Sequence, residues 1–304
     1  MLHPVILEPN MQVTADPTKI WTILALIEWG AQYLNERGFD DARLNIELLL
    51  SHILHLKRIH LYTNFDRTLN PAELGEFKAA LQRRLKREPL QYIIGETEFM
   101  GIPLHVNPSV LIPRPETEEL VERALHWIKS LSVPRVEVLD IGTGSGNIPI
   151  AMERFASTTY ITSIDVSSRA IEVALRNIER HQCSRIQLRQ LDVFADVFQD
   201  QTFDVIIANP PYISTTEFAL LQPEVRDFEP ALATTDNADG YRLIRRICDV
   251  AVECLRPGAM LFMEVGYNQG SEVRRIATEA GLVGIDIAMD LGGHERILQG
   301  RQAA

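Results

Sequence analysis

From Val136 onward, short apolar runs alternate with segments that have the 3.6-residue period of helices. The apolar runs predict strands at 136–141, 160–165, 186–191, 203–208, 259–265, 283–289 and 295–299. The helical patterns lie around 146–155, 168–181, 238–254 and 268–279. The run 205–208 is apolar at every position, which is typical of a parallel strand buried on both faces. Regular alternation of this kind predicts an α/β fold with a doubly wound sheet, whose ligand site lies at the carboxyl ends of the strands.

The first third of the chain has a helical pattern instead. Apolar residues recur at helical spacing from Ile20 to Leu34, and a second helix is predicted to start near residue 40. A third helix begins at Asn70-Pro71, where the asparagine can cap it and Glu73 occupies the reciprocal capping-box position. The basic cluster 83–87 ends this helix. It is either a partner-binding patch or a set of cations of the kind favoured at a helix C-terminus.

Residues 91–112 change to a two-residue period. Ile102, Leu104 and Val106 occupy every second position, and with the apolar runs 92–94 and 110–112 they predict a β-hairpin connector. The expected organisation is a loosely ordered leader at 1–18, a helical domain at 19–90, a β-hairpin linker at 91–115 and the α/β domain at 116–304.

The charge distribution bears on the kind of partner. The net charge is −11, and the first 90 residues contain eleven basic and eleven acidic residues, so all of the negative charge belongs to the remainder. Proteins that hold nucleic acid gain much of their affinity by neutralising phosphates with lysine and arginine. Dedicated nucleic-acid binding is therefore not expected.

Composition also indicates a compartment. No apolar run approaches the ~20 residues of a membrane span, and the N-terminus has neither the basic start nor the cleavage site of a signal peptide. The cysteines are Cys183, Cys248 and Cys254, an odd number without a C-x-x-C pair, so they indicate neither a disulfide framework nor a zinc site. We expect a cytoplasmic protein without a metal centre or membrane association.

The turn after the first strand of the α/β region is rich in glycine, reading Asp140-Ile141-Gly142-Thr143-Gly144-Ser145-Gly146. Glycines at a strand-to-helix turn permit positive φ and let a ligand approach the backbone. A dinucleotide fingerprint requires glycine where Asn147 stands, and a Walker lysine is also missing. The compact G-x-G-x-G pattern after an acidic strand end resembles the cofactor loop of Rossmann-like methyltransferases, which use S-adenosyl-L-methionine.

Acidic residues at two further strand ends extend this resemblance. Asp165 ends the second strand, at the distance from the glycines where a carboxylate accepts the ribose hydroxyls of a nucleoside. Asp192 ends the third strand and is suitably placed for the adenine amino group, next to Val193 in the adenine pocket. The predicted cofactor-binding residues are Asp140, Gly142, Thr143, Gly144, Ser145, Gly146, Asp165, Asp192, Val193 and Asn209.

The fourth strand ends in Asn209-Pro210-Pro211-Tyr212. Asn-Pro and Pro-Pro are common in ordinary turns, but this tetrapeptide follows a buried strand next to the predicted cofactor loop. It resembles the signature of methyltransferases that act on planar nitrogens. The Asn209 side-chain oxygen and the Pro210 carbonyl can accept the two N–H bonds of an NH₂ group, and the Tyr212 ring can pack on the planar substrate. Asn209 and Pro210 are the predicted catalytic residues.

Over almost its whole length the chain resembles the peptide chain release factor glutamine methyltransferase family. The residues that carry this resemblance include Arg43-Leu44, Glu47–Leu50, Pro89–Ile93, Val110–Glu118, Glu224–Pro230 and Asp239-Gly240. The resemblance implies a Rossmann-like methyltransferase sheet and transfer of a methyl group to the glutamine of a Gly-Gly-Gln loop in class 1 release factors. It further implies that the N-terminal helical domain helps to bind that protein.

Three alternatives stay open at this stage. A DNA adenine-N6 methyltransferase uses the same tetrapeptide on a flipped-out base, and a non-catalytic binding subunit could retain the fold. The segment Ile112–Thr117 either ends the hairpin and starts a helix, leaving Arg114 solvated, or forms a wall of the substrate site. The predicted substrate-binding residues are Asn209, Pro210, Pro211, Tyr212 and, on the second interpretation, Arg114.

Overall fold

A computed structural model of the protein describes residues 20–195, 198 and 201–304. The chain divides into two compact units, Met1–Ile94 and Gly95–Ala304. The predicted leader at 1–18 lies outside the described residues. Within the described part of the chain, no helix combines the length and apolar character that crossing a membrane requires.

The first unit is helical, as predicted. Its helices are α1 Ile23–Asn35, α2 Ala42–Leu54, α3 Arg58–Thr63, α4 Pro71–Leu85 and α5 Leu90–Ile94. The helix α4 starts with the predicted capping box, in which the Asn70 side chain accepts from the backbone of Glu73 and Glu73 accepts from the backbone of Asn70. Close packing of α1 on α2 depends on Gly30, since a Cβ there would lie 2.8 Å from Ile46 Cδ1.

The basic cluster at the end of α4 makes contacts within this unit. Arg84 is buried and donates from Nε to Asn45 Oδ1 at 2.7 Å. The Arg87 guanidinium lies 3.8 Å from the centre of the Phe39 ring. These contacts favour a structural role for the cluster over a partner-binding patch.

Two short strands predicted beside the hairpin are wrong. Residues 92–94 belong to α5, where Tyr92 N and Ile93 N both donate to Pro89 O. Residues 110–112 form no strand, because their backbone donors are used elsewhere: Val110 N donates to Asn107 O in a turn, and Ile112 N donates to the Glu229 carboxylate. The hairpin itself is confirmed as the antiparallel strands β1 Glu96–Phe99 and β2 Ile102–His105.

The second unit contains the predicted doubly wound sheet. Its strands are β3 Val136–Ile141, β4 Thr159–Asp165, β5 Ile186–Gln190, β6 Phe203–Ala208, β7 Leu255–Glu264, β8 Val283–Met289 and β9 Glu295–Arg301. Their order is β5-β4-β3-β6-β7-β9-β8, with β9 antiparallel to both neighbours and the other pairs parallel. The seven strands were all predicted from the apolar runs.

The helices of this unit are α6 Pro115–Ser130, α7 Asn147–Phe155, α8 Ser168–Arg180, α9 Thr215–Phe218, α10 Pro223–Phe228, α11 Ala231–Thr234, α12 Arg242–Cys254 and α13 Gly270–Ala280. Successive residues of β6 pack into two separate hydrophobic cores, one on each face of the sheet. Ile206 packs with residues of α12 and α13, whereas Val205 packs with residues of α6 and α7. The helices therefore cover both faces of the sheet, which is why β6 is apolar at successive positions.

The site region follows from the strand order. The strand β3 pairs with β4 on one side and with β6 on the other, so the chain reverses its direction of winding between them. Ligands bind in the crevice that such a reversal opens at the carboxyl ends of the strands. The register pairs Ile141 with Ala208, which places Gly142 beside Asn209.

Candidate active site

A cavity of about 280 Å³ lies at this reversal, entirely within the second unit. This volume is near the lower end of the roughly 300–1,000 Å³ that small-molecule pockets have. Among the predicted cofactor residues, the cavity is lined by Gly142, Gly144, Ser145, Asp165, Asp192, Val193 and Asn209. The predicted substrate residues Arg114, Pro210 and Pro211 also line it.

The glycine turn requires residues without side chains. Gly142, Gly144 and Gly146 have φ of +85°, +53° and +82°, a region that other residues adopt at a cost. Gly146 also lies close to α7 and α8, since a Cβ there would be 3.3 Å from Ile150 Cδ1 and 3.4 Å from the Ala174 Cα. The turn thus leaves the Gly142 and Gly144 backbone open to the cavity, while Gly146 packs behind it.

Asp165 at the end of β4 holds this turn in place. Its Oδ2 accepts from Gly144 N at 3.0 Å and its Oδ1 from Ser167 N at 2.9 Å. Burial raises the pKa of Asp165 above its usual value, while the backbone N–H groups oppose this shift. Each carboxylate oxygen has a second lone pair, so Asp165 can accept further hydrogen bonds from a ligand in the cavity.

Asp140 and Thr143 lie behind the cavity wall. The buried Ser163 hydroxyl donates to Asp140 Oδ2 at 2.6 Å and lies 2.6 Å from Thr143 Oγ1. Burial raises the pKa of Asp140 to about 7. Its Oδ1 has no hydrogen-bond partner among the described residues. In this structure, both residues support the glycine turn from behind, and a direct contact with a ligand stays a prediction.

The side of the cavity beyond β5 is partly aromatic. Asp192 is exposed and accepts from Phe194 N at 3.0 Å, while Val193 is buried. The Phe194 ring has the Arg242 guanidinium 4.6 Å from its centre, and both residues line the cavity. Phe194 and Arg242 were not predicted from the sequence, although an aromatic residue two positions after Asp192 was a usable signal.

The orientation of the Asn209 amide is fixed by a neighbour. Asn209 Nδ2 donates to Thr117 Oγ1 at 3.0 Å, and the Thr117 hydroxyl donates to Glu264 Oε2 at 2.7 Å. No described residue donates a hydrogen bond to Asn209 Oδ1. Asn209 lines the cavity together with Pro210, so this oxygen is left to accept a hydrogen bond from a ligand.

Tyr212 does not line the cavity. Its hydroxyl donates to Glu264 Oε1 at 3.2 Å, and burial raises the pKa of this phenol. Its carbonyl accepts from Gln269 Nε2 at 2.9 Å, and a Cβ on Gly240 would lie 2.6 Å from that carbonyl oxygen. The end of the tetrapeptide is thus held by Glu264, Gln269 and Gly240, none of which was predicted as a site residue, although Gly240 is among the residues that carry the family resemblance.

The Ile112–Thr117 segment combines the two predicted interpretations. Pro115 is the first residue of α6, as the first interpretation expects. Arg114 lines the cavity, as the second expects, but it is paired with the buried carboxylate of Glu229. Glu229 also accepts from Ile112 N at 3.2 Å, so the pair fixes this wall of the cavity.

The sheet order, the glycine turn after β3 and the carboxylates that follow β4 and β5 define a Rossmann-like methyltransferase. Residues 125–225 match the family described as the methyltransferase small domain, and residues 25–95 match the PrmC N-terminal domain. A methyltransferase structure from Pyrococcus furiosus has a TM-score of 0.50, at 19% identity over 68% of this chain and 91% of that chain. This likeness concerns the fold alone.

Curated relatives define the family more narrowly. A release factor glutamine methyltransferase from Geobacter sulfurreducens is 42% identical over 93% of this chain and 98% of its own length. The protein of the same name from Rhodopirellula baltica is 38% identical over 93% of this chain and 97% of its length. The chain belongs to the release factor glutamine methyltransferase family.

Proposed function

We propose that this chain transfers a methyl group from S-adenosyl-L-methionine to the side-chain amide nitrogen of the glutamine in the Gly-Gly-Gln loop of class 1 peptide chain release factors. The observation that carries the proposal is the orientation of Asn209, whose Oδ1 is an unused acceptor beside Pro210 and the glycine turn. Family membership supplies the substrate class.

The cavity residues fit S-adenosyl-L-methionine. The Gly142 and Gly144 backbone, which has no side chain in the way, would accommodate its amino-acid part, and Asp165 would accept the ribose hydroxyls. Asp192 would accept the adenine amino group, and Val193 and Phe194 line the same part of the cavity. When bound, the sulfonium supplies an electrophilic methyl group.

Asn209 Oδ1 and the Pro210 carbonyl oxygen bind the substrate nitrogen in this proposal. An amide nitrogen shares its lone pair with the carbonyl and is therefore a weak nucleophile. Acceptance of both N–H bonds by Asn209 Oδ1 and the Pro210 carbonyl orients the lone pair and stabilises the positive charge that develops on nitrogen. As the N–C bond forms, the S–C bond of the sulfonium breaks, and the nitrogen then loses one of its two protons to water. Proline restricts its own φ, which makes that carbonyl a rigid acceptor.

The remaining predicted residues have supporting roles in this proposal. Pro211 and Arg114 line the wall that contacts the carboxamide, and Arg114 is held there by Glu229. Tyr212 anchors the tetrapeptide through Glu264. The helical unit, which matches the PrmC N-terminal domain, contributes to release-factor binding, and the reaction takes place in the cytoplasm.

The proposal is tested with labelled S-adenosyl-L-methionine and two acceptors, a purified class 1 release factor and duplex DNA. We expect label on the release factor, with the mass of one methylene added to the peptide that contains the Gly-Gly-Gln loop. A release factor whose loop glutamine is replaced by alanine is the matched control and should stay unlabelled. Label on DNA alone would instead identify an adenine methyltransferase.

A further inference from the structure

A buried carboxylate lies behind the Asn-Pro-Pro-Tyr tetrapeptide. Glu264, the last residue of β7, is 2% exposed, and its two oxygens receive different groups. Oε2 accepts from the hydroxyl of Thr117 in the first turn of α6, and Oε1 accepts from the hydroxyl of Tyr212. Three separate elements therefore meet at one carboxylate, directly behind Asn209.

When Glu264 is ionised, the hydrogen bonds that link Asn209, Thr117 and Glu264 can have only one direction. A carboxylate only accepts, so it takes the single proton of the Thr117 hydroxyl. The lone pairs left on Thr117 Oγ1 then require a donor, and Asn209 supplies one through Nδ2 at 3.0 Å. Its Oδ1 is consequently turned away from Thr117.

A reversed amide would defeat the proposed chemistry. If Asn209 were flipped, its NH₂ group would face the NH₂ group of the substrate glutamine, and two donors cannot form a hydrogen bond with each other. Asparagine has no intrinsic preference between the two orientations, so a neighbour has to select one.

Burial of Glu264 carries a cost, since it raises the pKa of the carboxyl above its ordinary value. Glu116 on α6 adds to this shift, whereas the hydroxyls of Thr117 and Tyr212 and the charge of Arg296 on β9 oppose it. Glu264 is not isolated, however, and these two hydroxyls and the arginine are the groups that favour its ionised form.

We infer that Glu264, acting through the Thr117 hydroxyl, selects the orientation of the Asn209 amide and is a positioning residue for the glutamine nitrogen. This inference rests on the proposed function, because it concerns the same substrate nitrogen. Glu264 orients the Thr117 hydroxyl, and this hydroxyl orients the Asn209 amide. Neither residue exchanges a proton with the substrate.

The test compares Thr117→Val with Thr117→Ser. Valine has a methyl group in place of the hydroxyl and can neither donate to Glu264 nor accept from Asn209, whereas serine keeps the hydroxyl and lacks the methyl group. We expect Thr117→Val to lower kcat for release-factor methylation by about 10–10²-fold, less than the direct loss of an oxyanion-type contact. Thr117→Ser should retain kcat near the wild-type value. The affinity for S-adenosylhomocysteine, measured by calorimetry, should be the same in both variants.

A purely packing role predicts the opposite order, because Thr117 is buried and only serine would leave a void. Wild-type kcat in Thr117→Val, or equal losses in both variants, overturns the inference. Glu264→Gln provides a second measurement, since a glutamine amide can either donate to Thr117 or accept from it. It should also lower kcat, and an unchanged kcat in this variant likewise overturns the inference.

The wild-type protein separates the inference from the proposed function. If wild-type protein labels the loop glutamine and the variants behave as a packing role predicts, the inference fails and the proposed function stands. If wild-type protein labels no release factor, both fail.

Discussion

Replacement of Asn209 by alanine is expected to lower kcat for glutamine methylation by about 10²–10³-fold, the cost of losing one preorganised hydrogen-bond partner of the transition state. The variant loses the Oδ1 acceptor at the cavity. It keeps the Pro210 carbonyl and the glycine turn, so residual transfer is expected, and the affinity for S-adenosylhomocysteine tests whether Asn209 also contacts the nucleoside, as the sequence predicts. Single-turnover methylation of a class 1 release factor measures the first quantity, and calorimetry measures the second.

A matched control for Asn209→Ala is Gln187→Ala. Gln187 also carries an amide, but it is exposed on β5 and does not line the cavity. This control should methylate at the wild-type rate. An Asn209→Ala variant that binds the nucleoside and still transfers the methyl group at the wild-type rate would remove Asn209 from the catalytic residues.

Replacement of Asp165 by asparagine is expected to weaken nucleoside binding by about 10–10²-fold, because hydrogen bonds to charged groups contribute roughly 1.5–3 kcal/mol. The substitution removes the charge that accepts the ribose hydroxyls. It also turns an NH₂ group towards either Gly144 N or Ser167 N, both of which are donors. The affinity for S-adenosylhomocysteine, measured by calorimetry without any acceptor protein, reports this loss directly.

Asp204→Asn is the matched control, because it separates the loss of a ligand contact from the loss of a contact with the backbone. Asp204 lies in β6 and accepts from Glu137 N at 2.8 Å, so it shares the backbone contact of Asp165 but does not line the cavity. Its replacement should lower stability without changing the nucleoside affinity. Equal losses of affinity in the two variants would show that Asp165 acts only through the fold.

The sequence predicted the parts of this fold that local patterns determine. A parallel strand that is buried on both faces is apolar at successive positions, and the uninterrupted apolar run 205–208 fits this environment better than any other. Glycines with positive φ after β3 are likewise a local requirement. The runs 92–94 and 110–112 were misassigned because three apolar residues have no measurable period, and the structure uses their backbone donors for a helical turn and a carboxylate.

The site was less predictable than the fold, because its hydrogen bonds join distant positions. Thr117 and Glu264 meet across 147 positions of the sequence, and no local pattern connects them. One signal was available: Glu264 lies within the apolar run 259–265, where a buried charge requires a partner. The predicted contacts of Asp140 and Tyr212 with ligands were drawn from their places in motifs, whereas the structure directs both side chains to internal partners.

The central claim is that Asn209 Oδ1 and the Pro210 carbonyl together hold the NH₂ group of the substrate. A crystal structure of the protein with S-adenosylhomocysteine and a release-factor fragment containing the Gly-Gly-Gln loop tests it most directly. We predict that the glutamine nitrogen lies within hydrogen-bonding distance of both oxygens, with Asn209 Nδ2 still on Thr117. A glutamine nitrogen bound elsewhere in the cavity, or an Asn209 amide turned with its NH₂ towards the substrate, would contradict the claim.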